Sequence, residues 1–251
     1  MKELLREHFQ LMETIVTITA REKRHIDAAK ESIRVQRSFL EDYIRKDPFF
    51  MLTLDPYDSE ADDAPDIVKQ MIECCTVFGI GPMASVAGVI AKFAIMAMME
   101  RDATYAVVDN GGDICILNDQ PINVGIYAGS SPIRDLAFEL PARCKPIGIC
   151  TSSGTVGPSI SFGCADAAMV ISEDAALADA AATALGNAVG ANGPLQECFR
   201  AIDRPGIDGA LVIRGEEMAL WGDLPKLGRA RVGAEKITRG QQPRRSLYMV
   251  E

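Results

Sequence analysis

The residues best equipped for chemistry interrupt an alanine-rich run. In LADAAATALGN, residues 177–187, Asp179 and Thr183 stand four apart among small apolar side chains. On a helix that spacing puts both on one face. Neither type favours a helix interior, because both compete for backbone hydrogen bonds. A carboxylate and a hydroxyl together offer two hard oxygen donors. Such a pair suits Mg²⁺, which takes few protein oxygens and leaves the rest of its shell to phosphates and water. A structural account fits the same residues: Asp179 serving the first turns of its helix, and Thr183 bonding back to a carbonyl of that helix. Spacing alone leaves both open.

Three further segments carry chemistry of a matching kind. GIGPMASVAGVIAK, residues 79–92, places Gly81 and Pro82 before a helix with small residues in its first turns and Lys92 further along. Free backbone N–H groups at such a helix start can receive a phosphate, although close helix packing also demands small side chains. NGGD, that is Asn110, Gly111, Gly112 and Asp113, reads as a hairpin turn whose glycines supply positive φ. TSSGTVGPS, residues 151–159, follows a short strand, and its Thr151, Ser152, Ser153 and Gly154 could cradle phosphate through N–H and O–H donors. Such composition also describes a plain surface loop. The two histidines, His8 in a terminal segment and His25 on a long helix, form no Ser–His–Asp arrangement.

The elements that must position these residues read as follows. Residues 11–19 alternate and are rich in Ile, Val and Thr, which predicts a strand. Residues 20–46 carry an apolar stripe at helical spacing, ended by Asp47-Pro48. Residues 49–54 are expected as a short strand, 58–66 as an acidic surface loop, 67–78 as a short helix and 83–100 as a second one. Strands follow at 105–109 and 114–117, then at 123–128, 136–140, 147–150 and 168–171. Ser172 is expected to cap a helix running to about Val189. A short helix at 195–202 and a hairpin at 214–217 complete the pattern. Strands in hairpins with few, long helices indicate an α+β fold with antiparallel sheets, not a doubly wound one. One domain is expected over residues 1–225. A basic tail, 226–251, is expected to be mobile or to dock on a partner, and with the long helix it offers surface for a homodimer.

Bulk composition narrows the function. A net charge of −9 argues against general nucleic-acid binding, which needs a basic footprint. Seven cysteines without a CxxC pair, and only two histidines, argue against a zinc or iron–sulfur site and fit reduced thiols in the cytoplasm. The N-terminal segment is charged and lacks the apolar core of a secretory signal. Residues 77–99 are apolar enough to suggest a membrane span, but glycines, a proline and Lys92 favour a loop and a buried helix.

Taken in order, GPMASVAGVIAK, NGGDI, VGIYAG, TSSGTVGPSISFG, ADAAMVIS and ADAAATALGN resemble the ApbE-like superfamily, and more closely a cytoplasmic bacterial and archaeal branch of it. The resemblance is strongest over residues 77–190 and implies an ApbE-like, T-fold-related architecture. It implies binding of FAD and Mg²⁺. ApbE-type enzymes split the FAD pyrophosphate and attach the FMN half to a threonine of an acceptor protein, and some hydrolyse FAD instead. Their metal-binding Asp and Thr fall on Asp179 and Thr183. Their GGD turn falls on Gly111, Gly112 and Asp113, their AKG-type helix on residues 87–92 with Phe93 replacing the glycine, and their serine-glycine loop on residues 151–154. The flavin transferases also carry a histidine-containing HIIDP-type segment. Here that stretch reads SISFGCAD. The alternative that follows is a flavin-binding module or assembly factor beside a redox enzyme.

Overall fold

The computed structural model describes residues 4–58, 63–154 and 163–230. Leu5–Leu11 (β1) and Thr14–Ala20 (β2) form a hairpin turning at Met12, whose φ is 52°. Only its second half was expected. In β1 the apolar Leu5, Phe9 and Leu11 alternate with Arg6, His8 and Gln10, and Glu7 interrupts the apolar face, as suits a charged sheet edge.

Lys23–Lys46 (α1) buries Ile26, Ala29, Ile33 and Leu40 on one face. Phe49–Leu52 (α2) is a single helical turn, which corrects the strand expected at 49–54. Pro48 holds a helical φ of −62°, and the Asp47 carboxylate accepts the Phe49 N–H at 3.0 Å. Phe50 alone of this turn turns inward, edge-on to Tyr43 and Tyr57. A helix start and one buried ring thus outweigh an apolar string that resembles a strand.

Asp66–Thr76 (α3) is followed by a 3₁₀ turn, Pro82–Ser85, that feeds Val86–Met99 (α4). Pro82–Met99 is long and apolar enough to cross a membrane by length and composition, the one such segment among the described residues. Half of it is buried: α4 lies against α1 and against strands of the main sheet, and is covered on most sides.

The strands Tyr105–Asn110 (β3), Asp113–Asn118 (β4), Ile147–Ser152 (β7), Ala167–Ser172 (β8), Gly209–Arg214 (β9) and Glu217–Gly222 (β10) join the first hairpin. The result is one antiparallel sheet in the order β1-β2-β3-β4-β7-β8-β9-β10. Ile122–Ile126 (β5), Leu136–Leu140 (β6) and Lys226–Arg229 (β11) form a second sheet in the order β11-β6-β5. Its third strand lies past the boundary expected at residue 225. Residues 231–251 of the expected tail fall outside the described residues.

Period-two alternation sorts the core. Ile149, Met169, Ile171, Leu211 and Ile213 face the small sheet, where they meet Phe138 and Leu140. Cys150, Ala168, Val170, Ala210 and Val212 face the other way, onto Ala175–Ala188 (α5) and the 3₁₀ turn Leu195–Ala201. The chain is therefore an α+β fold of antiparallel sheets with a few long helices. Asp174 caps α5 by accepting the Ala176 N–H at 2.9 Å. Ser172, the expected cap, instead accepts the Asp174 N–H at 3.0 Å.

Candidate functional site

Two antiparallel helices set the geometry. Along α4 and its preceding turn, Ala84, Gly88 and Lys92 are spaced four apart. Along α5, Thr183, Asp179 and Asp174 run the other way to meet them. The Thr183 hydroxyl donates to the Ala84 carbonyl at 3.3 Å, the Gly88 N–H donates to Asp179 Oδ2 at 2.7 Å, and Lys92 Nζ donates to Asp174 Oδ2 at 2.8 Å. Gly88 is required by the approach. A Cβ there would lie 2.4 Å from the Ala175 carbonyl oxygen and 2.6 Å from Asp179 Cβ. Gly148 on β7 admits Ala175 from the other side, where a Cβ would meet its Cα at 2.4 Å. These glycines let α5 sink between α4 and the sheet, and the alanines of α5 fill the contact.

Asp179 is thereby drawn into the protein, 6% exposed, at the start of α4. Its carboxyl accepts from the Gly88 and Ala87 amides, whose partial positive charge favours the ionised form. Burial and the nearby Asp113 carboxylate act oppositely and hold the acid well above the usual carboxylate range. The structural account that spacing allowed gives way to another arrangement: Asp179 caps a neighbouring helix, and Thr183 bonds to a carbonyl of that neighbour rather than of its own helix.

The β3–β4 turn closes a second side. The paired residues Asn110 and Asp113 flank Gly111 and Gly112, at φ 71° and 110°, with nothing within 4 Å of where either Cβ would stand. Asn110 Nδ2 donates to the Ala87 carbonyl at 3.1 Å, which ties the turn to α4. Asp113 Oδ1 accepts the Thr151 N–H at 3.2 Å, which ties it to β7. Burial is the main cause that raises the Asp113 carboxyl to about 7, assisted by Asp109. Asp113 and Asp179 thus crowd negative charge together. Among the described residues neither forms an ion pair.

The other expected site residues divide. Thr151 and Ser152 end β7 beside this turn, with Ser152 buried. Ser153 and Gly154 follow, and Gly154 packs on Gly163 while donating its N–H to the Ala165 carbonyl at 2.9 Å. Residues 155–159 of the expected phosphate loop lie outside the described residues. Gly81 and Pro82 are buried beneath the chain after α2. The Gly81 N–H donates to the Leu54 carbonyl at 2.7 Å, and a Cβ on Gly81 would lie 2.2 Å from the Thr53 carbonyl oxygen. Lys92, one turn beyond Gly88, is paired with Asp174. What the sequence reading passed over was the second half of the pairing. Ala84 and Gly88 repeat the four-residue spacing of Asp179 and Thr183, but they take part through a backbone carbonyl and a backbone amide, which leave no signal in the sequence.

A family model described as AbpE bacteria matches residues 2–202. The chain belongs to this family. The resemblance carried by the six motifs is thereby shown. Among its relatives, a UPF0280 protein of Methanothrix thermoacetophila is 57% identical over 94% of this chain and 100% of its own length. One of Methanosarcina acetivorans is 53% identical, over 94% and 93%. A mutant of the flavin transferase ApbE from Vibrio cholerae has the same fold, with a TM-score of 0.58 at 10% identity over 88% of this chain and 97% of that one. The apo flavinyl transferase ApbE of Pseudomonas stutzeri gives 0.54 at 11% identity, over 88% and 95%.

Proposed function

We propose that the chain binds a flavin nucleotide, FAD, together with Mg²⁺ between α4, α5 and the β3–β4 turn, and transfers its FMN half to an acceptor protein or hydrolyses its pyrophosphate. The observation that carries this reading is the pairing of Asp179 and Thr183 with Gly88 and Ala84. It gathers a carboxylate, a hydroxyl and a carbonyl oxygen beside a second carboxylate, Asp113. The donor set fits a hard divalent cation. Two adjacent carboxylates that burial pushes toward the neutral acid are also what a cation would restore to the ionised form.

In this reading Asp179, Thr183 and the Ala84 carbonyl hold the ion, and the Gly88 and Ala87 amides fix the Asp179 carboxylate. A bound Mg²⁺ supplies charge neutralisation for a pyrophosphate, the main demand of phosphoryl-type transfer. Gly111 and Gly112 leave open space in which phosphate oxygens can approach the backbone, and Asp113 keeps the turn tied to β7. Thr151, Ser152, Ser153 and Gly154 border the same region. We place the protein in the cytoplasm, in keeping with seven cysteines that are all unpaired.

The test is incubation with FAD and Mg²⁺, with and without candidate acceptors, followed by quantification of AMP. Wild type is expected to release AMP and Asp179→Ala to lose it by about tenfold to a hundredfold or more, since disturbing even the groups behind a metal ligand costs on that order. Equal behaviour of the two would end the proposal. SISFGCAD, which lacks histidine, favours a second reading, a module that holds the flavin without turnover. Tight FAD binding by calorimetry without AMP would select it.

A further inference from the structure

The main sheet has two outermost strands, and they differ in how they are guarded. At the β1 edge, Glu7 stands on the apolar face and pairs with Lys23 and Lys30 at 3.3 and 2.6 Å. Such charges discourage a further strand from adding. At the other edge, β10 pairs with β9 alone among the described residues, and between Glu217 and Asp223 it carries neither charge nor proline. The direction of its backbone groups follows from its neighbours. The Asp223 N–H donates to the Asp208 carbonyl at 2.6 Å, and the Ile213 carbonyl accepts the Asp166 N–H at 2.8 Å on the side away from β10. Pairs alternate along an antiparallel ladder. Glu217, Ala219 and Trp221 therefore turn their backbone groups to β9, and Met218 and Leu220 turn theirs outward.

The same two residues carry an apolar face outward. Met218 and Leu220 lie opposite Ile213 and Leu211 on β9, which lie opposite Ala167 and Met169 on β8. The small sheet covers these rows on β8 and β9 but not on β10, where Met218 and Leu220 are 38% and 49% exposed. On the opposite face Ala219 is buried and Trp221 stacks on Phe199. We propose that a second copy of this chain covers the edge, β10 pairing antiparallel with β10 of the partner about a twofold axis at Ala219. Met218 then faces the partner's Leu220 in both halves, each such pair exchanging N–H and carbonyl bonds and extending the apolar rows. Glu217 meets the partner's Trp221 and stays paired with its own Arg214 at 2.6 Å. An axis at Leu220 would instead set Glu217 against the partner's Asp223, and like charges directly opposite destabilise a strand pair. An axis at Met218 would set Glu216 against the partner's Leu220. The edge is thus complementary to itself in one register, as a twofold contact requires. This surface differs from the tail and long helix that the sequence suggested for a homodimer, and its use is independent of flavin binding.

Sedimentation equilibrium of the full-length chain over a range of concentrations tests it, together with amide hydrogen exchange followed residue by residue by NMR. One strand makes a small interface, so a dimer that dissociates on dilution is expected. The Met218 and Leu220 amides should gain protection as the protein is concentrated, while those of Ala219 and Trp221, bonded to β9, stay protected throughout. Met218→Lys/Leu220→Lys, altered only at exposed positions, should raise the dissociation constant by about tenfold or more. Leu220→Pro should act alike, because it removes an outward N–H and leaves the ladder to β9 intact. Melting close to wild type would show that both variants fold. A monomer at every concentration, a dimer that neither variant weakens, or protection at Met218 and Leu220 that does not change with concentration would overturn the proposal.

Discussion

Asp113 and Asp179 are two acids held near each other, one by a hydrogen bond from β7 and the other by amides of α4. For Asp113 the ordinary carboxylate value of 3.8 rises to about 7 in the folded chain, chiefly through burial. A folded acid with a raised value binds protons that the unfolded chain has already released. Below the ordinary carboxylate range both states are protonated and this group imposes no penalty. The penalty grows as pH rises from about 4 and is complete above about 7. Asp113→Asn keeps an oxygen for the Thr151 N–H but cannot ionise. Without added metal, the variant is therefore expected to melt higher than wild type at pH 8 and close to it at pH 4, by scanning calorimetry. A variant that melts lower at pH 8 would show that the carboxylate is stabilised there by something the folded chain itself supplies. Saturating Mg²⁺ should narrow the difference at pH 8, because a cation bound to the native state stabilises the charged form.

At the scale of elements, α5 is placed by glycines on both of its neighbours. Adding one methyl at Gly88 would force α4 off Asp179 Cβ and the Ala175 carbonyl together, and neither contact is the far end of a flexible side chain. Gly88→Ala is expected to destabilise by about 1–3 kcal/mol in urea unfolding, the usual cost of overpacking. It should also weaken Mg²⁺ binding, since the Gly88 amide that orients Asp179 must move. Unaltered stability would mean that the helices are looser than they stand here. Much of this layer was legible in sequence. The 105–109 and 114–117 strands, the NGGD turn and the long α1 follow from period, glycine and proline, all local signals. The site was legible only in halves. Asp179 and Thr183 announce one helix face, but their partners, the Ala84 carbonyl and the Gly88 amide, are backbone groups with no side-chain signature. The pairing of Lys92 with Asp174 was likewise out of sight, because the two stand 82 residues apart in the chain. Phe49–Leu52 misled because a four-residue apolar string has no period long enough to separate strand from helix.

Across the whole molecule, β8 couples the layers. All six of its residues are buried, with Ala168 and Val170 beneath α5 and Ala167, Met169 and Ile171 beneath the small sheet. Helices on one face and a sheet on the other therefore share one middle layer, and neither outer layer can leave without exposing it. Cysteines report on this arrangement. Cys144 and Cys164 are exposed and Cys74 is half-buried, whereas Cys75, Cys115, Cys150 and Cys198 are buried. Burial pushes the Cys75 and Cys115 thiols up to about 12 and Cys198 to about 11, and that of Cys150 also well above its ordinary value, so the reactive thiolate is scarce as well as hidden. Native protein treated with a thiol-specific disulfide reagent is expected to show a fast phase from Cys144 and Cys164. The four buried thiols should follow together in a slow phase whose rate rises with urea. Cys115 sits beneath α4, Cys150 on β7 faces α5, and Cys198 in the 3₁₀ turn lies against α5, so a shared slow rate requires these parts to open as a unit. Resolution of the slow phase into separate rates, with Cys198 released well before Cys115, would show instead that the turn and its contacts open on their own and that burial of β8 does not enforce cooperativity.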